Sequence, residues 1–297
     1  CYVWAQQAEA SKKKLEQLER IGLKMCSFVR HSTPTDALRI IYNVKPLHLH
    51  IKEVAIKTFF RVKKYNWTSK LKKTIGHERY IQRQIPKNLL NVEMDKVPHR
   101  YAWDKPYTAE IGSGTIPPEI WSYGPFEKDY ENIAPETWQV FTDGSLLEGR
   151  SGSGIVLFHK KVHKDTVWFR LQQATVYQSE VKAVEIAAKK ILSQKEGVAK
   201  CSIWLDNQAA IYELGKAEIT QKCVLDAHNA LLQLCKDGTS CDIRWVRGHS
   251  GVLGNEMSDE AAKLGSKSSL GNLVVPTAPS TIKRKIHEKI ISQWTKE

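Results

Sequence analysis

Between Thr137 and Leu205 three short β-forming segments are followed by an amphipathic helix and then a fourth strand, and this order constrains the fold more than any other feature of the chain. Thr137-Trp138-Gln139-Val140-Phe141-Thr142-Asp143 alternates and is rich in β-formers, and the Gly144-Ser145 and Ser151-Gly152-Ser153-Gly154 clusters bracket a turn into Ile155-Val156-Leu157-Phe158. Thr166 to Leu171 supplies a third strand, so the three form an antiparallel meander. Ser179 to Leu192 then places Val181, Val184, Ala188 and Ile191 along one helical stripe, ahead of the short apolar strand Cys201 to Leu205. A strand, a helix and a strand in succession imply a parallel crossover. Helices near Gln208–Leu214 and Gln221–Cys235, a strand at Asp242–Val246 and a helix from Asn255 to Lys263 complete the unit. The fold class is therefore α/β, a mixed five-stranded sheet flanked by helices.

The flanking regions differ in kind. Residues 1–65 read as a basic helical segment: Leu15, Leu18, Ile21, Met25 and Phe28/Val29 recur at helical spacing. Thr33-Pro34 starts a second helix that runs through Tyr42, and Pro46 opens a third that carries Leu49, Val54, Ala55, Phe59 and Val62. Residues 66–136 accumulate prolines and glycines and read as a connector with short helical pieces, the linker proper being Tyr107 to Glu136. Residues 137–267 are the α/β unit, and residues 268–297 a Ser/Gly/Pro-rich linker and a basic helix from Ile282 to Trp294.

Charge is distributed as unevenly as pattern. Net charge is +13, and residues 1–100 hold 21 Lys and Arg against 8 Asp and Glu, whereas the remainder holds 24 of each. A basic segment without a membrane-binding pattern favours a polyanion, nucleic acid foremost. No apolar run reaches the ~18 residues of a membrane span, and the start, Cys1 to Gln7, has no secretion pattern. The six cysteines are scattered without zinc spacing and read as reduced thiols of an intracellular protein, nuclear or cytoplasmic.

Four carboxylates fall at special places in the α/β unit. Asp143 is expected to close the first strand, Glu180 to open the first helix, Asp206 to close the fourth strand, and Asp259 to lie in the last helix. Strand ends and adjoining helix starts converge on one crevice in an α/β sheet. Crowded anions raise one another's pKa unless a cation neutralises them, and oxygen-only ligands select magnesium or manganese. Two such ions suit an in-line phosphoryl displacement, with His249, in a glycine-flanked loop, moving a proton or aiding product release. Taken singly, Asp143 reads equally as a turn former, Asp206 as part of a helix cap, Glu180 as the acid of a first helical turn, and Asp259 and His249 as surface residues. Their joint placement argues for a site.

Four segments in order carry a resemblance: Phe141-Thr142-Asp143-Gly144-Ser145; Gln178-Ser179-Glu180; Trp204-Leu205-Asp206-Asn207-Gln208-Ala209; and Trp245 to Gly251 followed by Gly254-Asn255-Glu256, Asp259-Glu260-Ala261-Ala262. Together they resemble type 1 ribonuclease H, which cuts the RNA strand of RNA·DNA hybrids. The resemblance implies two Mg2+ ions, with Mn2+ as the alternative. It also implies that Asp143 bridges both, that Glu180 and Asp206 hold the leaving-group ion and that Asp259 holds the ion activating water, His249 taking the family's loop-histidine role. Ser145, Gln178, Asn207 and Gln208 flank these residues and are the candidates for nucleic-acid contact. Two departures stand out. Val176-Tyr177 replaces the family's polar pair before the glutamate, and the segment between Asp206 and Trp245 is short and poor in Lys and Arg.

Leu18-Glu19-Arg20-Ile21, His31 to Leu38 and Lys45 to Ile51 are similar to the helical segment that follows the palm of non-LTR retrotransposon reverse transcriptases. That resemblance implies a carboxy-terminal piece of a retroelement polyprotein, associated with a reverse transcriptase; the charge of the first hundred residues adds the expectation that its basic arm holds hybrid by its phosphates. No Tyr/Phe-x-Asp-Asp pair of a polymerase is present in the chain. The competing readings are an integrase or transposase of the same fold, which use fewer carboxylates, and a binding module without catalysis, whose signature is lost carboxylates.

Overall fold

The computed structural model describes residues 9–27, 29–30, 32–63, 78–97, 101–102, 104–111, 137–160, 162–194, 197–269 and 272–296. Its described helices are α1 (Glu9–Ser27), α2 (Thr35–Ile41), α3 (Leu47–Lys63), α4 (Glu78–Gln84), α5 (Val176–Leu192), α6 (Gln208–Gly215), α7 (Lys222–Lys236), α8 (Leu253–Lys267) and α9 (Pro279–Trp294). The strands are β1 (Tyr101–Ala102), β2 (Thr108–Glu110), β3 (Trp138–Leu147), β4 (Arg150–His159), β5 (Val162–Gln172), β6 (Lys200–Leu205), β7 (Glu218–Ile219), β8 (Ser240–Trp245) and β9 (Asn272–Val274). The chain divides into two compact units, one of residues 1–92 with 279–297 and one of residues 93–278. No described helix is long and apolar enough to cross a membrane.

The larger unit is built on a sheet ordered β2-β8-β6-β3-β4-β5-β9. β3, β4 and β5 form the expected antiparallel meander, and β3, β6 and β8 run parallel. The five expected strands are the centre of this sheet. The structure adds β2 beside β8 and β9 beside β5, each in parallel pairing, and so extends five strands to seven. Three-residue edge strands carry no alternation long enough to read, which is why residues 108–110 lay in the expected connector and 272–274 in the expected linker. The rest of that linker, from residue 112 to residue 136, is outside the described residues.

Each face of the sheet has its own core. Val140, Ile155, Leu157, Leu171, Ile203 and Ile243 pack with α5, α6 and α7 residues such as Val184, Ile211 and Leu231. On the other face Phe141, Val156, Phe158 and Trp204 pack with Val246 and Val252. α8 crosses this second face at backbone contact distance, because β4 presents glycine beneath it. A Cβ on Gly154 would lie 2.1 Å from the Ser258 carbonyl oxygen and 2.5 Å from the Ala262 nitrogen. Small residues at Ala261, Ala262 and Gly265 complete the close crossing.

The smaller unit is helical. α3 begins immediately after Pro46, whose carbonyl accepts from His50 N at 3.0 Å, and buries Leu49, Ala55, Ile56, Phe59 and Phe60. α9 contributes Ile282, Ile286 and Ile290. α2 starts one residue later than Thr33-Pro34 suggests, with Pro34 as an N-cap that makes no side-chain cap bond. In α1 the apolar stripe Leu18, Ile21 and Met25 is exposed rather than packed. The helix is held from another side, where Glu19 accepts from the Arg39 guanidinium at 2.7 Å and from Leu47 N at 3.1 Å.

Candidate active site

β3 is longer than its parallel neighbour, and the site lies where it overruns. Pairing with β6 ends at Phe141↔Trp204, while β3 continues to Leu147 and turns at Glu148-Gly149, both in the left-handed region. Asp143 is therefore in mid-strand, opposite Gly154 of β4, rather than at the strand's end as the Gly144-Ser145 pair suggests. A strand paired on one side only tolerates those two residues without turning.

α5 begins at Val176 instead of Ser179, because Thr175 and Gln178 form a reciprocal capping box. Glu180 thus sits in the second turn, and Gly144 lets that turn settle on β3: a Cβ there would be 2.7 Å from Glu180 N. Asp206 follows the last residue of β6. It is fixed by Trp245 Nε1, which donates to its carbonyl at 3.0 Å, and by Val246 N, which donates to Leu205 O at 3.1 Å. Its side chain lies against Gly248, where a Cβ would be 2.4 Å from Oδ2. Asp259 projects from the second turn of α8, in an ion pair with Lys263 one turn on.

One carboxylate oxygen from each of Asp143, Glu180 and Asp206 lies within 4.8 Å of the others. Asp143 is 7 % exposed and Glu180 2 % exposed. Burial, followed by the charges of Asp206 and Asp259, pushes Asp143 up to about 7. Burial and the charges of Asp143 and Asp206 hold Glu180 well above the usual carboxylate range. Asp206 is raised too, first by burial, against a lowering influence from His249 and Asn255. Glu180 Oε2 is buried and has no hydrogen-bond partner among the described residues. A buried carboxylate oxygen without a donor, among anions that repel one another, is ready for a cation, and an all-oxygen set fits a hard divalent ion.

His249 is exposed, at φ +52° in the turn between β8 and α8. A ring nitrogen of His249 and carboxylate oxygens of Glu256 and Asp259 form a second group within 4.8 Å. Glu256 was not among the expected site residues. Its signal is its spacing: three residues before Asp259, it shares a helix face with it.

The expected nucleic-acid contacts separate. Ser145 is half-buried two residues along β3 from Asp143, and Gln208 is exposed. Asn207 caps α6, its Oδ1 accepting from Ala210 N at 3.1 Å. Gln178 does not reach the surface, which corrects its assignment. It is 1 % exposed, and its Nε2 donates to Asp95 Oδ2 at 2.8 Å and to the Pro276 carbonyl at 2.7 Å while its Oε1 accepts from Thr175 N. Asp95 in turn accepts from Cys223 N at 2.9 Å. Gln178→Ala is expected to lower stability by about 1–3 kcal/mol, since it strands buried partners, and to leave hybrid affinity unchanged. Urea unfolding and hybrid titration check both halves.

A mixed sheet with a meander and a crossover thus gathers the buried carboxylates of Asp143 and Glu180 with the half-buried carboxylates of Asp206 and Asp259 at one site. The RNase H family matches residues 135–267. The chain is 31% identical over 144 residues to a ribonuclease H of Actinobacillus succinogenes, covering 43% of this chain and 89% of that protein. It is 29% identical over 144 residues to a ribonuclease H of Mannheimia succiniciproducens, covering 43% and 87%. It is also similar to the crystal structure of RNase H1 from the halophilic archaeon Halobacterium salinarum, at 18% identity and a TM-score of 0.37, over 43% of this chain and 96% of that one. The chain belongs to the ribonuclease H family, and residues 135–267 are its ribonuclease H domain.

Proposed function

We propose that the chain hydrolyses the RNA strand of RNA·DNA hybrids with two divalent ions, Mg2+ in the first instance and Mn2+ as a substitute. The observation that carries this reading is the carboxylate cluster of buried Asp143 and Glu180 with half-buried Asp206, with Glu180 Oε2 lacking a hydrogen-bond partner among the described residues and Asp259 set beside Asp143. Asp143, which interacts with Asp206, Asp259 and Glu180, would be a ligand of both ions; Glu180 and Asp206 would hold one, and Asp259 the other. When bound, the ions supply positive charge to the attacking and leaving oxygens of the scissile phosphate.

The chain's own residues do the rest. Burial of Asp143 and Glu180 excludes water, so the attraction they exert is little screened. Trp245 and Gly248 fix the orientation of Asp206 before substrate arrives. His249, exposed and next to Glu256, is placed to carry a proton between the site and solvent. Ser145, Asn207 and Gln208 border the carboxylates and are the candidates to meet 2′-hydroxyls and phosphates; recognition of that kind ignores base sequence.

The same reading extends to context. The similarity of residues 18–51 to the post-palm helices of non-LTR reverse transcriptases supports a retroelement protein that works with a reverse transcriptase, in nucleus or cytoplasm.

The test is cleavage of a labelled RNA·DNA hybrid beside double-stranded RNA and DNA, with Mg2+ or with EDTA. Cutting confined to the RNA of the hybrid and abolished by EDTA is the expected result. Tight hybrid binding without cutting by the folded chain would replace this reading with that of a binding module.

A further inference from the structure

The helical unit, residues 1–92 with 279–297, holds 24 Lys and Arg against 8 Asp and Glu, whereas the nuclease unit, residues 93–278, holds 21 against 24. The unit that must cut a polyanion thus has a net negative charge, and its site gathers four carboxylates at one place. The pairing of charges sharpens the contrast. In the nuclease unit Lys182 and Lys189 are bound to Glu185, Lys216 to Glu213, Lys222 to Asp226, and Lys263 to Asp259. Its cations are largely offset by neighbouring acids.

In the helical unit it is the acids that are consumed. Glu19 and Asp36 are bound to Arg39, Glu288 to Arg284, and Glu53, only 3 % exposed, to Lys45, Lys57 and His287. Exposed Lys13, Lys14 and Arg20 of α1, Arg61 of α3 and Lys283 of α9 sit in no ion pair among the described residues. A cationic surplus on one unit, with unpaired exposed cations on three of its helices, and a deficit on the other is the charge pattern of a separate backbone-binding surface.

We infer that the helical unit is a phosphate-backbone anchor for nucleic-acid duplex, supplying the affinity that the net-negative nuclease unit lacks. The choice of a nucleic acid as the occupant rests on the ribonuclease reading. The anchor recognises phosphates and not sugars, so it grips hybrid and DNA duplex alike, and the nuclease unit alone makes the distinction. Covalent attachment then holds the gripped duplex at high effective concentration near the site.

The experiment uses the full chain and two triple variants, Lys13→Gln/Lys14→Gln/Lys283→Gln in the helical unit and Lys164→Gln/Lys200→Gln/Lys236→Gln at exposed lysines of the nuclease unit. Binding of a short RNA·DNA hybrid and of a DNA duplex of the same sequence is measured in EDTA over a range of KCl, with thermal melting as the fold control. The helical variant is expected to bind both probes about tenfold more weakly at low salt. Its slope of log affinity against log salt should be shallower by about 1 for each cation that met a phosphate. The nuclease-unit variant should stay close to the parent.

An unchanged slope in a helical variant that melts like the parent overturns the inference, as does an equal loss in both variants. So does a helical variant that keeps its duplex affinity but loses binding to vesicles of phosphatidylserine, for the cations and the exposed Leu18, Ile21 and Met25 would then belong to a membrane-surface helix. The two readings fail separately. A chain that cuts no hybrid in Mg2+, yet loses duplex affinity through the helical substitutions, refutes the ribonuclease assignment and sustains the anchor.

Discussion

Asp143→Asn abolishes hybrid cleavage, lowering the rate by roughly three orders of magnitude or more, and at the same time makes the metal-free protein more stable at neutral pH. Both effects come from one carboxylate. Asp143 interacts with Asp206, Asp259 and Glu180, so removing its charge would take a ligand from each proposed ion. Its pKa in the folded chain is about 7, against 3.8 for the free side chain, chiefly because it is buried and faces Asp206 and Asp259. A group whose folded pKa is raised in this way contributes its stability below the unfolded value and loses it as pH rises through the folded one. Without metal the parent should therefore weaken between about pH 4 and pH 7, while the neutral amide escapes that part of the loss.

The variant should match the parent near pH 4 and melt about 3–6 °C higher at pH 8 in EDTA. It retains the dependence that Glu180 and Asp206 impose, since both are also raised. Mg2+ should reverse the order by stabilising the parent more than the variant. Melting curves at three pH values, with and without Mg2+, decide the matter. A variant that is less stable at pH 8 in EDTA, or that still cuts hybrid, removes Asp143 from the centre of the site.

The second large effect is expected from a residue with no side chain, Gly154, which lies opposite Asp143 on β4. Gly154→Ala places a Cβ where the Ser258 carbonyl oxygen and the Ala262 nitrogen now lie, at 2.1 and 2.5 Å. Those are backbone atoms of a helix, so no side chain can swing aside and α8 itself must lift. Asp259 follows Ser258 directly and moves with it. Overpacking of this kind costs about 1–3 kcal/mol, and a displacement of about 1 Å at a reacting group costs on the order of a hundredfold in rate. Gly197→Ala is the control, because a Cβ there meets nothing within 4 Å. Loss of cleavage with retained secondary structure in the first variant, and neither loss in the second, is the expected pair. Full activity of Gly154→Ala would mean that α8 does not need its close seat.

The motif segments and the fold class were legible because both are local properties. Alternation over 137–143 and 166–171, a helical stripe through Val181, Val184, Ala188 and Ile191, and a crossover imply most of the central sheet without knowledge of any contact. The charge imbalance of the first hundred residues is likewise a count, which tertiary structure redistributes between two units but does not create.

What the tertiary structure decided depends on partners remote in sequence. β2 and β9 exist only because β8 and β5 have open edges for them, and three residues have no periodicity of their own. Asp143 lies in mid-strand because β6 stops short at Leu205, a fact about its neighbour and not about Gly144-Ser145. Gln178 looked like a polar contact beside Glu180 until Asp95 and Pro276, 83 and 98 residues away, were found to occupy its amide. Sequence by itself determined which groups the chain carries and the rhythm in which the backbone folds locally. Only the packing of distant segments decided which of those groups are buried together and which are spent holding the fold, because burial and hydrogen-bond satisfaction are settled by neighbours in space.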